Sequence, residues 1–366
     1  MDKQEALSHF YKEYFIPALA ESIEDVATKF NQYRTELALH VENSFREICL
    51  LVNTMQSKQE KDPIAYIHYS LMRTSILEEN YLYRVEAYSN KWYLDEQACM
   101  SVYDASWAYQ SISMMKEQLV AEQRKYMGLL NPADVENMIQ SALKYFHQFV
   151  VSLIKSVVSQ LVQLQEYQSI QKADRLYIRS GEYKDISETL YIDDVGTQDE
   201  SKFKLALIEE QEDILIYENF RENKLLSMDV IAKDLRYSDF SYSDFKQCKF
   251  VDCVLIGTCW RDSDLRDANF DGSWLIDADF SGSDLRGAYF GTASGQANRE
   301  GAARSPGLLG INFSYANLND ANLANVRFFE NVQFKGASMQ GTVISLQHKG
   351  KMSLTDSQIN SIHWME

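Results

Sequence analysis

A five-residue period in the C-terminal third of the chain constrains its fold more than any other feature. From Leu235 to Phe290 a large apolar residue stands at every fifth position without a slip. An α-helix repeats every 3.6 residues and a β-strand every 2, so neither produces a period of five. A short fixed period kept over many units indicates a solenoid, whose turns bury their apolar faces only by stacking on one another. The positions are Leu235, Phe240, Phe245, Phe250, Leu255, Trp260, Leu265, Phe270, Leu275, Phe280, Leu285 and Phe290.

The residues around each large position fit an extended backbone. Two places earlier the residue is usually small, as at Ser238, Cys253 and Ala268, and the residue between is often Asp or Asn. Because side chains alternate along a strand, the large and the small residue both point inward and the polar residue points outward. Four sides of five residues make a turn of roughly twenty, and the repeats then predict a rod of about five turns. The rod spans residues 220–344 and is interrupted by a loop at 291–310.

The blocks DANFD, DADFS, YANLN and DANLA carry an A(D/N)LXX-type pattern, so this region resembles the pentapeptide-repeat family. The resemblance implies a right-handed quadrilateral β-helix for residues 220–344. The tail, residues 345–366, resembles the short helix that often closes such rods. Members of the family are generally not enzymes, because their interior is filled. Some imitate B-DNA, bind type II topoisomerases and form dimers through the C-terminal end of the rod.

Residues 1–172 are predicted to form an α-helical bundle, so the whole chain is a multi-domain α and β protein. Gly occurs in this region only at Gly128, and apolar residues recur at helical spacing, for example Phe30, Leu37 and Val41. The Asn131–Pro132 pair is typical of a helix start. We expect four to six helices packed as an antiparallel bundle.

Residues 173–219 are predicted to be an acidic, partly β connector. The stretch RLYIRSGEYKDISETLYIDD alternates like a hairpin, with Gly181 near its turn. Acidic residues are in surplus from Glu182 to Glu222. This surplus is either a solvated connector or a docking surface for a basic partner.

The charge of the chain separates the candidate functions. The net charge of −17 disfavours direct binding to nucleic acid or to anionic lipid. Between Asp234 and Ile344 there are fourteen Asp and Glu against ten Lys and Arg, a net charge of only −4. A DNA mimic needs a continuous acidic face, whereas one side of this rod aligns an acidic column with a basic one and is expected to neutralise itself. The two columns are Asp244, Asp264 and Asp284, and Lys246, Arg266 and Arg286.

Another side of the rod has apolar residues at outward positions, and this indicates a covered or partner-binding surface. Either the rest of the chain or a protein partner could cover it. The loop at 291–310 is rich in Gly, Ala and Ser and is expected to protrude, as a partner contact or as a tolerated insertion. The candidate partner-binding residues are Val254, Ile256, Trp274, Ile276, Arg299 and Arg304.

No pattern in the sequence indicates catalysis, a metal or a cofactor. The six His show no HExxH or HxH spacing, the five Cys form no CxxC pair, and GxGxxG, GxxxxGK[ST] and GxSxG are absent. There is no secretory signal, and the most apolar window, Phe149–Leu164, is too short and polar to span a membrane. The sequence therefore predicts a cytoplasmic, non-enzymatic adaptor. The alternative is a DNA-mimicking gyrase-binding protein that gives antibiotic resistance or self-protection.

Overall fold

A computed structural model of the chain describes residues 2–194, 215–295, 307–329 and 331–366. The chain divides into two compact units, Met1–Val195 and Gly196–Glu366. The predicted boundary at residue 172 therefore lies too early, because the N-terminal unit continues for another twenty-odd residues.

The N-terminal unit contains helices together with a five-stranded sheet, so the prediction of an all-helical bundle was wrong. Residues 64–104 form three strands, because IAYIHYSL and LYRVEAYS alternate with a period of two and are rich in aromatic and β-branched residues. The helices are α1 (Lys3–Phe10), a π-helical turn (Tyr11–Phe15), α2 (Ile16–Ser57), α3 (Arg73–Leu77), α4 (Ser106–Gln123), α5 (Pro132–Leu161) and α6 (Gln165–Gln168). The strands are β1 (Ile64–Leu71), β2 (Leu82–Ser89), β3 (Met100–Asp104), β4 (Lys172–Glu182) and β5 (Ser187–Asp194).

The strand order is β3-β2-β1-β4-β5. The β4–β5 hairpin predicted from the alternation is confirmed, but it is part of the sheet and not of a connector, because β4 pairs in parallel with β1. A Cβ atom on Gly181 would lie 2.3 Å from the carbonyl oxygen of Ile186, so the hairpin closes too tightly for a side chain there. Residues 195–214 of the predicted connector lie outside the described residues.

One face of the sheet forms the core of the N-terminal unit with α2, α4 and α5. Tyrosines are frequent in this core, and several of their buried hydroxyls are paired. The Tyr83 hydroxyl lies 2.6 Å from the Tyr109 hydroxyl and 2.7 Å from Nδ1 of His147. The Ser44 hydroxyl lies 3.1 Å from that of Tyr69. These bonds allow large amphipathic side chains to fill the core without leaving their polar ends unpaired.

The second unit is a β-helix solenoid built from short extended segments. Among the described residues before the insertion, its parallel bridges form columns that join residues twenty positions apart, as in Asn219–Asp239–Cys259–Asp279. After the insertion the same column continues from Asp279 to Asn312. The longer strands are β6 (Asp229–Ile231), β7 (Lys249–Val251), β8 (Asn322–Leu323) and β9 (Val343–Ser345).

The interior of the solenoid is filled by stacked side chains. The Trp260 ring lies 4.2 Å from the Phe240 ring and 6.0 Å from the Phe280 ring, and both pairs are within 7° of parallel. At a small position, the Ser263 hydroxyl donates to the carbonyl of Phe240 at 2.8 Å. The predicted alternation of large and small inward residues is therefore present in the fold.

A short cap follows the last turn of the solenoid. It contains a 3₁₀ helix (Leu346–His348), helix α7 (Asp356–Ser361) and strand β10 (His363–Met365), so the predicted capping helix is accompanied by a strand. β10 pairs in parallel with β9. The Gln358 side chain donates to the carbonyls of Phe334 and Ala337, which ties the helix to the turn below it.

Candidate interaction surface

The apolar side of the rod is smaller than the sequence predicted. Val254 and Trp274 are bridge partners in one column, Trp274 is 50% exposed and Val254 is partly exposed. Ile256 and Ile276 are only 8% and 4% exposed, so their predicted outward exposure was wrong. They occupy the same position in adjacent turns about 4.8 Å apart, so each covers part of the other. The exposed part of the surface is therefore centred on Trp274.

The point where the insertion returns to the rod is fixed by one carboxylate. Asp277 accepts hydrogen bonds from the backbone N–H groups of Gly307, Leu309 and Gly310 at 2.6, 3.0 and 2.9 Å. Three donors on one charged acceptor give a strong local anchor. Asp277 follows Trp274 by three residues, so the anchor lies next to the apolar surface. The candidate residues Arg299 and Arg304 lie outside the described residues.

The predicted self-paired side of the rod is confirmed. Lys246 lies 3.1 Å from Asp244 and 3.3 Å from Asp264, so it joins two turns. Arg266 lies 2.7 Å from Asp264 and 3.8 Å from Asp284. A hydrogen bond from Arg266 lowers the pKa of the Asp264 carboxyl, and hydrogen bonds to Asp244 and Asp264 raise the pKa of Lys246. Each exposed ion pair contributes only about 0–1 kcal/mol to the stability of the fold, but together the pairs neutralise the charge of this side of the rod.

A neighbouring side of the rod also pairs its acidic residues. Arg261 donates to Asp279 at 2.7 Å, and Arg221 lies 3.6 Å from Asp239. Burial lowers the pKa of Arg261, but the nearby Asp279 carboxylate raises it, and the net shift is upward. Carboxylates held by arginines in this way offer less negative potential to a basic partner than free carboxylates would.

A polar cluster on the outer face of the N-terminal sheet was missed, because residues 64–104 were expected to be helical. Alternation places His68 and Ser70 of β1 on the same face as Arg84 and Glu86 of β2. Nδ1 of His68 lies 2.6 Å from the Ser70 hydroxyl, and burial followed by the charge of Arg179 lowers the pKa of His68 to about 4. Because the imidazole is neutral and fully buried, it is closed to a substrate in this conformation.

Neither a metal site nor a membrane span is found where the structure describes the chain. Within residues 2–194, 215–295, 307–329 and 331–366, no group of three or more His, Cys, Asp or Glu is arranged to hold a metal ion. No helix in these ranges is long and apolar enough to cross a membrane. All five cysteines are free thiols.

Stacked turns with a filled interior define this unit as a solenoid of short repeats. The family profile of pentapeptide repeats matches it in eight copies, at residues 263–291 and 308–345. The C-terminal region is therefore a pentapeptide-repeat region, as its sequence pattern indicated. No curated protein sequence matches the chain.

Solved structures similar to this chain are also pentapeptide-repeat proteins. Rfr23 from the cyanobacterium Cyanothece 51142 is 19% identical with a TM-score of 0.27, over 39% of this chain and 97% of that one. A protein of the Arabidopsis thaliana thylakoid lumen is 24% identical with a TM-score of 0.19, over 38% and 73%. QnrB1, a plasmid-mediated fluoroquinolone resistance protein, is 17% identical with a TM-score of 0.17, over 41% and 86%.

Proposed function

We propose that this chain is a non-catalytic binding protein that uses its repeat region as a rigid platform for a protein partner. In this proposal the repeat region is a right-handed quadrilateral β-helix, and the surface around Trp274 and Val254 contacts the partner. Arg299 and Arg304 of the insertion would extend that contact. The protein would act in the reducing cytoplasm, in keeping with its five free thiols.

The filled interior of the solenoid is the observation that carries this proposal. The inward residues Phe240, Trp260 and Phe280 are fully buried and in ring contact, so they leave no room for a substrate inside the rod. Such a rod can therefore bind a partner only on its outer surface. A half-exposed tryptophan on a rigid backbone is a favourable contact residue, because it buries a large area at little cost in conformational entropy.

The alternative function, mimicry of DNA towards a type II topoisomerase, is disfavoured by the paired charges. A mimic of DNA has to present unpaired negative charge along the rod. On two sides of this rod Asp244, Asp264, Asp279 and Asp284 are engaged by Lys or Arg of the same or an adjacent turn.

Affinity capture from a bacterial lysate, with partners identified by mass spectrometry, tests the proposal. Trp274→Ala is the test variant, and Tyr315→Ala, which removes an exposed aromatic ring from a different side of the rod, is the matched control. We expect a partner that the wild type and Tyr315→Ala retain and Trp274→Ala loses. Equal capture by all three would contradict the assignment of the Trp274 surface.

A gyrase supercoiling assay in the presence of a fluoroquinolone tests the alternative directly. Under the platform proposal the purified protein neither protects nor inhibits gyrase. Protection that survives Trp274→Ala would favour mimicry instead. Turnover of a substrate by the purified chain would refute the non-catalytic proposal as a whole.

A further inference from the structure

Within the described residues, the edge strand β3 leaves backbone hydrogen-bonding groups without a partner. Its ladder with β2 is flanked by two bonds, from the N–H of Ala87 to the carbonyl of Cys99 at 3.0 Å and from the N–H of Ala105 to the carbonyl of Tyr81 at 3.1 Å. Bonded and non-bonded pairs alternate along an antiparallel ladder. Ser101 and Tyr103 therefore bond to β2, and the alternate residues of β3 present their backbone groups to the outside.

Those outward residues are Met100, Val102 and Asp104. In the described part of the chain, no backbone hydrogen bond from outside β2 reaches any of the three. Met100 and Val102 are 44% and 47% exposed, so the edge carries apolar side chains as well as unpaired backbone groups. The Asp104 side chain turns back along the chain, where its carboxylate accepts from the backbone N–H of Ser106 at 2.8 Å.

β3 carries fewer of the devices by which natural sheets protect an edge than the strand at the other end of the sheet does. Such edges usually carry charged side chains, above all Lys, or they carry Pro, inward-pointing charges or a bulge. β3 has no Lys, no Pro and no inward-pointing charge, and its single charged side chain is Asp104 at the C-terminal end. The β2–β3 register runs without a shift. The strand at the other end of the sheet, β5, carries Glu188, Asp193 and Asp194, and its pairing with β4 contains a register shift. Of the two end strands, β3 is the one suited to pairing.

We propose that β3 pairs with β3 of a second copy of this chain, antiparallel and about a two-fold axis through Val102. Three outward residues centred on Val102 are self-complementary: Val102 faces Val102 of the second copy, and Met100 faces Asp104. Each of the three pairs exchanges two backbone bonds, because each residue offers one N–H and one carbonyl. The two five-stranded sheets then form one continuous sheet. This inference is independent of the platform function proposed for the repeat region.

The size and charge of this interface predict a weak dimer. A five-residue edge buries less than the ~1,200 Å² of a standard interface, so we expect micromolar rather than nanomolar dissociation. Up to Asp194 the chain has 28 acidic and 19 basic residues, a net charge of −9. Two such units repel each other, and the dimer should therefore strengthen as salt rises from low to physiological concentration.

Cysteine cross-linking of the full-length protein tests the register. In a bonded antiparallel pair the Cα atoms lie about 5.5 Å apart, within the range of a disulfide. We expect Val102→Cys to form a covalent dimer under mild oxidation. Met100→Cys is the matched control, because the Cα atoms of the two Met100 positions would be about 14 Å apart in this register. The proposal would be overturned if Met100→Cys formed a covalent dimer as readily as Val102→Cys. It would also be overturned if neither variant formed more covalent dimer than the wild type, which has five cysteines of its own.

Sedimentation equilibrium of the full-length protein tests the same contact without a covalent bond. Val102→Lys sets two ammonium groups against each other and should raise the dissociation constant about fivefold or more. Met114→Lys, at an exposed position of α4, should leave it unchanged. A wild type that stays monomeric at several hundred micromolar would refute the pairing. A dimer unaffected by Val102→Lys would refute it too, and would point to association through the C-terminal end of the rod.

Discussion

Removing the carboxylate of Asp277 should release the end of the insertion from the rod. The three backbone N–H groups that it binds, those of Gly307, Leu309 and Gly310, would each lose a charged acceptor. A hydrogen bond to a charged group contributes about 1.5–3 kcal/mol, and water would replace part of that in a half-exposed site. We therefore expect Asp277→Ala to lower the local opening free energy by about 2–3 kcal/mol in total. Asp277→Asn keeps one acceptor oxygen and should cost about half as much.

Hydrogen exchange followed by mass spectrometry measures this opening directly. A loss of 2–3 kcal/mol corresponds to amide exchange that is roughly 30–150 times faster in peptides covering residues 307–311. Peptides of the N-terminal unit should not change. Asp262→Asn is the control, since it alters the same position of another repeat, where no insertion returns. An exchange rate of residues 307–311 in Asp277→Ala that stays within twofold of the wild-type rate would refute this prediction. An equal increase of that rate in Asp262→Asn would refute it as well.

Three further changes have defined outcomes. Asp95→Asn leaves the fully buried ammonium of Lys61 without the counter-ion that lies 2.8 Å from it. The free energy of unfolding of the N-terminal unit, measured with urea, should fall by about 3–5 kcal/mol. Adding Lys61→Met should recover most of this loss, because it removes the unpaired buried charge. Trp260→Ala opens a cavity in the ring stack and should lower the free energy of unfolding of the repeat region by about 3–5 kcal/mol. Trp260→Phe should lower it clearly less, and urea unfolding followed by circular dichroism measures both changes. Burial lowers the pKa values of His68 and His147 to about 4, below the value of about 6.5 in the unfolded chain. The contribution of these two neutral imidazoles to stability is complete above about pH 6.5 and falls as the pH drops towards 4. The melting temperature of the N-terminal unit should therefore fall across that window. In His147→Gln the melting temperature should fall less steeply, because one of the two groups is gone.

The candidate surface on the rod was only half predictable from sequence. The period of five placed Val254 and Trp274 on one outward column, and the structure confirms that column. The burial of Ile256 and Ile276 did not follow from the pattern, because exposure depends on what stands in the adjacent turns. The role of Asp277 was also hidden, since it depends on where the chain returns after the insertion.

The N-terminal unit shows the opposite case, in which local pattern gave the wrong class. The scarcity of glycine and the apolar residues at helical spacing favoured helices throughout, and α2, α4 and α5 are indeed helical. The segments that became β1 and β2 also alternate with a period of two, and only their pairing with β3 and with the distant β4 turns that alternation into a sheet. The parallel β1–β4 pair joins residues more than a hundred positions apart, and no local signal encodes it.

The solenoid follows from the sequence alone, because each repeat contacts mainly the next turn and its period therefore encodes the stacking. The sequence also determined the neutral charge of the paired side, since residues twenty apart meet whenever the turns stack. The sheet of the N-terminal unit, the edge at β3 and the anchor at Asp277 become visible only in the folded protein. Each of these depends on contacts between segments far apart in sequence, whose free energy comes from packing and pairing rather than from local preference.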